Sequence, residues 1–220
     1  MAFSYVDGVP VLKGVDLSVP AGARVGIVGA TGSGKSTIVD LVLRFRDPDR
    51  GRVTIDGIDV RELSVADLRR RTALVLQDVR LLPGTVLDNL GGDPVRARAA
   101  LDALGVPLAL DAPVEEGALS RGERQLLTFA RALARDPDLL VLDEATSAID
   151  PETEDRVQRA LDTLAEGRAV MIVAHRLETV RRCDRIYVLR EGVVAESGTH
   201  AELVARGGLY ATLVRLQDAA

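Results

Sequence analysis

One run of residues constrains this chain more than any other: Gly29-Ala30-Thr31-Gly32-Ser33-Gly34-Lys35-Ser36-Thr37. It fits the pattern G-x-x-x-x-G-K-[ST]. It stands between an apolar run, Arg24 to Gly29, and a stretch from Lys35 to Phe45 whose apolar residues Ile38, Val39, Leu41, Val42 and Phe45 recur at helical spacing. A strand, a tight loop and a helix in that order turn several backbone N–H groups toward one point. Glycine permits the curl, and the helix start adds the positive end of its dipole. Such a point holds phosphate. Lys35 supplies a point charge for the β- and γ-phosphates, and Ser36 a hydroxyl for Mg2+. A chance glycine-rich turn is set aside, because the chain has only two lysines, Lys13 and Lys35, and one falls at the required place.

A phosphate loop of this kind needs a carboxylate at the end of a neighbouring strand to hold Mg2+. Asp143 ends the apolar run Leu139 to Leu142 and fills that role; Glu144 follows at once and is assigned as general base or water-positioning group. Gln77 follows the apolar stretch Ala73 to Leu76, where an amide reaches the metal or the water, or simply faces solvent. His175 follows Val170 to Ala174 on the same rim, either to contact the γ-phosphate or to cap the next helix. His200, in the turn Gly198-Thr-His-Ala-Glu-Leu, reads as structural.

The rest of the pattern alternates. Val15 to Val19, Arg52 to Gly57, Thr72 to Gln77, Leu139 to Asp143, Ala169 to Ala174 and Arg185 to Leu189 read as strands. Val65 to Arg71, Leu177 to Arg182 and Pro151 to Leu164 read as helices, the last with Asp150 as N-cap and Pro151 at its first position. Two short helices close the chain. From Val79 to about Asp136 the sequence is rich in alanine and leucine with helical periods, a helical insertion. The expected fold is α/β: a P-loop core with a mainly parallel sheet (about 1–78 and 137–220), a small antiparallel β part near the N-terminus, and a helical subdomain (about 79–136).

The net charge of −5 argues against a nucleic-acid partner, which needs a basic face. The arginines at 69–71 and at 181, 182 and 185 sit among carboxylates and read as solvated helix faces. Cys183 is the sole cysteine, so the chain forms no internal disulfide, and it reads as packing. No apolar stretch is long enough to cross a bilayer, and residues 1–10 lack a signal core, so the chain is expected to be soluble by itself.

These pieces, in this order, resemble the nucleotide-binding domain of ATP-binding cassette (ABC) transporters over essentially the whole chain. The most diagnostic element is Leu119-Ser-Arg-Gly-Glu123 with the helix that follows, which is similar to the family signature L-S-G-G-Q. The resemblance implies that Ser120, Gly122 and Glu123 complete the ATP site of a second subunit. A helix starting near Arg121 suits a γ-phosphate, and Ser120 with Glu123 also forms an ordinary capping box; both hold at once. Tyr5, in Phe3-Ser-Tyr5, matches the aromatic that stacks on adenine. Gln77 matches a loop that senses Mg2+ and faces the membrane domain, Ser147 to Asp150 a loop crossing the dimer interface, and His175 the switch histidine. The stretches Gly84 to Leu90, Cys183 to Gly192 and Glu196 to His200 resemble the exporter branch.

The resemblance therefore implies an ATPase that uses ATP and Mg2+, pairs head to tail with a second nucleotide-binding domain, and drives transport through a transmembrane domain at the cytoplasmic face of the membrane. Thr31, Gly32, Ser33, Gly34 and Thr37 join Gly29, Lys35 and Ser36 as ATP-binding residues, with Gln77, Asp143 and Ser36 on the metal. Because Tyr5 comes so early, the chain is expected to be a domain of a longer polypeptide. Two departures stand out. Arg121 and Glu123 replace the commonest glycine and glutamine, Arg121 either adding charge near the partner's ATP or pointing to solvent. The stretch from Gln77 to Ser120 is also shorter than exporters usually have. The rival readings are an ATP-dependent clamp with little turnover, a soluble cassette ATPase acting on nucleic acid, and an importer subunit.

Overall fold

A computed structural model describes residues 1–76, 81–114, 119–143, 151–174 and 177–218. An antiparallel hairpin, β1 (Ala2–Val6) and β2 (Val9–Lys13), opens the chain. β3 (Arg24–Gly29) leads through the phosphate loop into α1 (Lys35–Val42). A small hairpin of β4 (Thr54–Ile55) and β5 (Ile58–Asp59) turns at Asp56 and Gly57, both with positive φ, as a two-residue turn between twisted strands requires. α2 (Val65–Arg71) and β6 (Thr72–Leu76) follow.

Residues 81–134 hold β7 (Gly84–Thr85), α3 (Val86–Asn89), α4 (Pro94–Ala103), β8 (Pro113–Val114) and α5 (Arg121–Ala134). The chain then alternates through β9 (Leu139–Asp143), α6 (Pro151–Ala165) and β10 (Ala169–Val173), a 3-10 turn at Leu177–Val180, β11 (Arg185–Arg190) and β12 (Val193–Gly198), and ends in α7 (His200–Arg206) and α8 (Leu209–Asp218).

The central sheet has the order β12-β11-β3-β10-β9-β6, parallel except for β12. Both of its faces are covered, so its strands read as unbroken apolar runs. Alternate residues still go to different cores. Val28, Leu140, Leu142, Val170 and Ile172 face a core built with α4, α5 and α6 around Phe129. Ile27, Val141, Met171 and Val173 face a second core with Ile38 and Leu41 of α1 and Phe3 and Leu12 of the first hairpin. Phe129 is fully buried, and its replacement by alanine is expected to cost about 3–5 kcal/mol in urea unfolding, against a total of roughly 5–15 kcal/mol for a domain.

Three expectations need correction or sharpening. Val15 to Val19 is not a strand: Val15 is buried and its neighbours alternate outward, but no ladder forms, and the Ser18 N–H donates to the Tyr187 hydroxyl at 3.2 Å. The helix at Lys35 stops at Val42 rather than Phe45, because Arg44 enters the left-handed region (φ 51°) and donates to the carbonyls of Val60 (3.0 Å) and Leu63 (2.8 Å). The arginine clusters are largely engaged. Arg69 donates to the Leu43 carbonyl and lies over Phe45, Arg71 pairs with Asp138 and Asp56, and Arg181 pairs with Asp218.

Cys183 is buried, which pushes its thiol up to about 12 and fits a packing role. His200 Nδ1 lies 2.9 Å from the Tyr210 hydroxyl, a structural contact. Among the described residues no helix is long and apolar enough to cross a membrane.

Candidate nucleotide-binding site

The parallel strands end on one rim. Val173 is in register with Asp143 and Asp143 with Leu76, while Val173 also pairs with Ile27, just before the loop. Asp143 closes β9, partly exposed. Gln77, Glu144 and His175, like Ser147 to Asp150, lie outside the described residues, each next to or close behind one of these strand ends in the chain.

The loop is tightly bounded. A Cβ on Gly29 would lie 2.4 Å from the Leu189 carbonyl oxygen and 2.7 Å from Ser33 Oγ, and one on Gly34 would lie 2.5 Å from Leu12 Cδ2. Gly34 also has φ 104°, a backbone that a side chain rarely adopts. The Ser33 carbonyl accepts from the Gly192 N–H at 3.2 Å, so the turn between β11 and β12 supports the loop from below. Lys35 is 5% exposed, and its Nζ donates to the carbonyls of Gly29 (2.8 Å) and Ala30 (3.2 Å), holding the ammonium across the loop. Thr31, Gly32 and Ser36 are exposed, and Thr37 is buried.

Two features show that an anion fits here. The Ser33 hydroxyl oxygen is buried without a hydrogen-bond partner among the described residues, an arrangement that costs free energy unless a ligand supplies one. The start of α1 differs from the starts of the other helices with a described cap. Ser64, Thr85, Asp93, Ser120 and Thr199 each accept a backbone N–H of the first turn of α2, α3, α4, α5 and α7. α1 has Gly34 at its N-cap, with no side-chain cap and no acidic residue in its first turn. A helix start of this kind suits a phosphate. For Mg2+, Ser36 and Asp143 offer the hard oxygen donors that this ion takes.

Tyr5 stands beside α1. Its hydroxyl donates to Asp40 Oδ2 (2.9 Å) and lies 3.2 Å from Thr37 Oγ1, and the residue is 48% exposed. Asp40 and Gly192 escaped the sequence reading. The only hint was general: a tyrosine hydroxyl seeks a partner, and Glu191-Gly192 is a turn signal.

At the signature segment, Ser120 caps α5. Its Oγ accepts from the Glu123 N–H (3.2 Å), and its own N–H donates to Glu123 Oε2 (2.8 Å). The bonds from the Ser120 backbone and hydroxyl hold the Glu123 carboxyl below the usual range, so it carries its charge at neutral pH. Gly122 is buried and Arg121 exposed.

A family model described as "ABC transporter" matches residues 12–147. An uncharacterized ABC transporter ATP-binding protein, YknV of Bacillus subtilis (strain 168), is 44% identical over 229 residues, covering 98% of this chain and 38% of the relative. An ATP-dependent lipid A-core flippase of Chromohalobacter salexigens is 45% identical over 225 residues, covering 96% of this chain and 39% of the flippase. Among solved structures, a bacterial Atm1-family ABC exporter with ATP bound superposes with a TM-score of 0.88 at 37% identity, over 98% of this chain and 40% of the exporter. The chain thus spans under half the length of these relatives. With a phosphate loop, a fitting sheet and relatives of this kind, the chain belongs to the ABC transporter family, as its ATP-binding ATPase domain.

Proposed function

We propose that this chain is the ATPase domain of an exporter and hydrolyses MgATP at two sites, each shared between two such domains. The observation that carries the reading is the phosphate loop: a buried lysine, a buried hydroxyl without a partner among the described residues, and a helix start with no side-chain cap, around one point. Lys35, the backbone of Gly29 to Thr37 and the Ser33 hydroxyl bind the phosphates; Tyr5 stacks on the base. Ser36, Asp143 and Gln77 hold Mg2+, which when bound draws charge off the γ-phosphate. Glu144 positions the attacking water and takes its proton, and His175 contacts the γ-phosphate. Ser120, Gly122 and Glu123 meet the ATP of a head-to-tail partner. Residues 79–136 form the helical subdomain, and the core is 1–78 with 137–220. A transmembrane domain completes the transporter and keeps this domain at the cytoplasmic face, where the closing and opening of the pair drive transport.

The test is MgATP hydrolysis measured over a range of protein concentrations, beside Glu144→Gln. Specific activity rising with concentration, with a mutant that fails to hydrolyse ATP yet dimerises with it, supports two identical shared sites. ATP binding without turnover at every concentration removes the self-sufficient homodimer and favours the low-turnover clamp.

A further inference from the structure

The Tyr5 ring is fixed from several sides, one of them cationic. Its hydroxyl is tied to Thr37 and Asp40, on the helix that the phosphate loop feeds. The Phe3 ring meets it edge-on, with centroids 4.9 Å apart at 90°. The guanidinium carbon of Arg46 lies 5.0 Å from the Tyr5 centroid, over the ring face. Arg46 follows α1 beyond its last turn, with its backbone N–H against the Asp40 carbonyl at 3.4 Å. The phosphate loop joins α1 at the opposite end. No second cation or stacked ring covers Tyr5 among the described residues, and 48% of the residue is exposed.

We infer that Arg46 is a nucleobase-affinity residue: it backs one face of Tyr5 so that adenine stacks on the other, in the order guanidinium, phenol, base. The inference rests on reading Tyr5 as the base-stacking residue. Two effects favour the stack. A cation over one face of the ring draws electron density toward itself and makes the far face a better partner for an electron-rich purine. The guanidinium also stops the ring from turning about its tethered hydroxyl, so less freedom is lost when the base arrives. Both effects act on the base and not on the phosphates. A planar, weakly hydrated guanidinium does this better than a compact lysine ammonium.

The experiment titrates the full chain with ATP and, separately, with tripolyphosphate by calorimetry, for the parent, Arg46→Ala, Arg46→Lys and Tyr5→Ala. Arg46→Ala is expected to weaken ATP binding about three-fold and to leave tripolyphosphate binding unchanged, with Arg46→Lys between the parent and the alanine variant. Arg46 is exposed, so its variants are expected to melt with the parent. Equal losses for ATP and tripolyphosphate overturn the inference in favour of simple charge attraction. An unchanged ATP affinity in Arg46→Ala, with a clear loss in Tyr5→Ala, overturns it while the base-site reading stands. An unchanged affinity in Tyr5→Ala overturns the base-site reading itself.

Discussion

Lys35→Ala is expected to lower ATP turnover by roughly 10²–10³-fold, the loss typical of removing one preorganised group from a site of developing charge. Lys35 is 5% exposed and its ammonium is held by the Gly29 and Ala30 carbonyls, so the charge is already largely dehydrated and already in place. Its attraction for phosphate is then far stronger than that of a surface lysine, and the reaction spends nothing on reorganising it. Lys35→Arg is expected to fail nearly as badly. A planar guanidinium fork does not reproduce the geometry in which the compact ammonium meets the Gly29 and Ala30 carbonyls. Thermal melting of both variants without nucleotide checks that the fold persists. Turnover of Lys35→Ala within ten-fold of the parent contradicts the proposed site.

The second large effect concerns a residue that never meets ATP. Gly192→Ala is expected to destabilise the domain by about 2–4 kcal/mol in urea unfolding, with the backbone strain accounting for roughly 1–2 kcal/mol of it. At φ +81° a new Cβ would lie 2.1 Å from the Val11 carbonyl oxygen. Gly192 also receives the Lys13 N–H at 2.8 Å and donates to Ser33 at 3.2 Å. β2, the turn and the phosphate loop therefore have to shift together. Gly8→Ala is the control, with the same φ of +81° but nothing within 4 Å of its Cβ. It carries the strain alone and is expected to cost about 1 kcal/mol. Equal losses in the two variants exclude the close approach as the cause.

What the sequence made legible was local. The strands Arg24–Gly29 and Leu139–Asp143 and the loop between β3 and α1 appear where periodicity and glycine spacing put them, because both are set by residues adjacent in the chain. Val15 to Val19 shows the limit of that reasoning. Its alternation is real as burial, yet a strand also requires a partner, and the pattern does not reveal whether one is present. The surroundings of Tyr5 were hidden for the same reason: Thr37, Asp40 and Arg46 come to it across a stretch of chain that no local period spans. The roles of Gln77, Glu144 and His175 rest on motif and chain position, because what distinguishes a catalytic carboxylate from a turn residue is its distance to a phosphate.

The place of β3 in the sheet bears on how the domain is made. Its neighbours are β10 and β11, both from the last third of the chain. A chain emerging from the ribosome presents the phosphate loop well before its supports, because among the described residues the strand that anchors it has no paired neighbour until Ala169–Val173 has been synthesised. Closing contacts over so long a separation is entropically slow. The strand that feeds the phosphate loop is therefore made well before the strands that secure it, and nucleotide binding waits for β10 and β11.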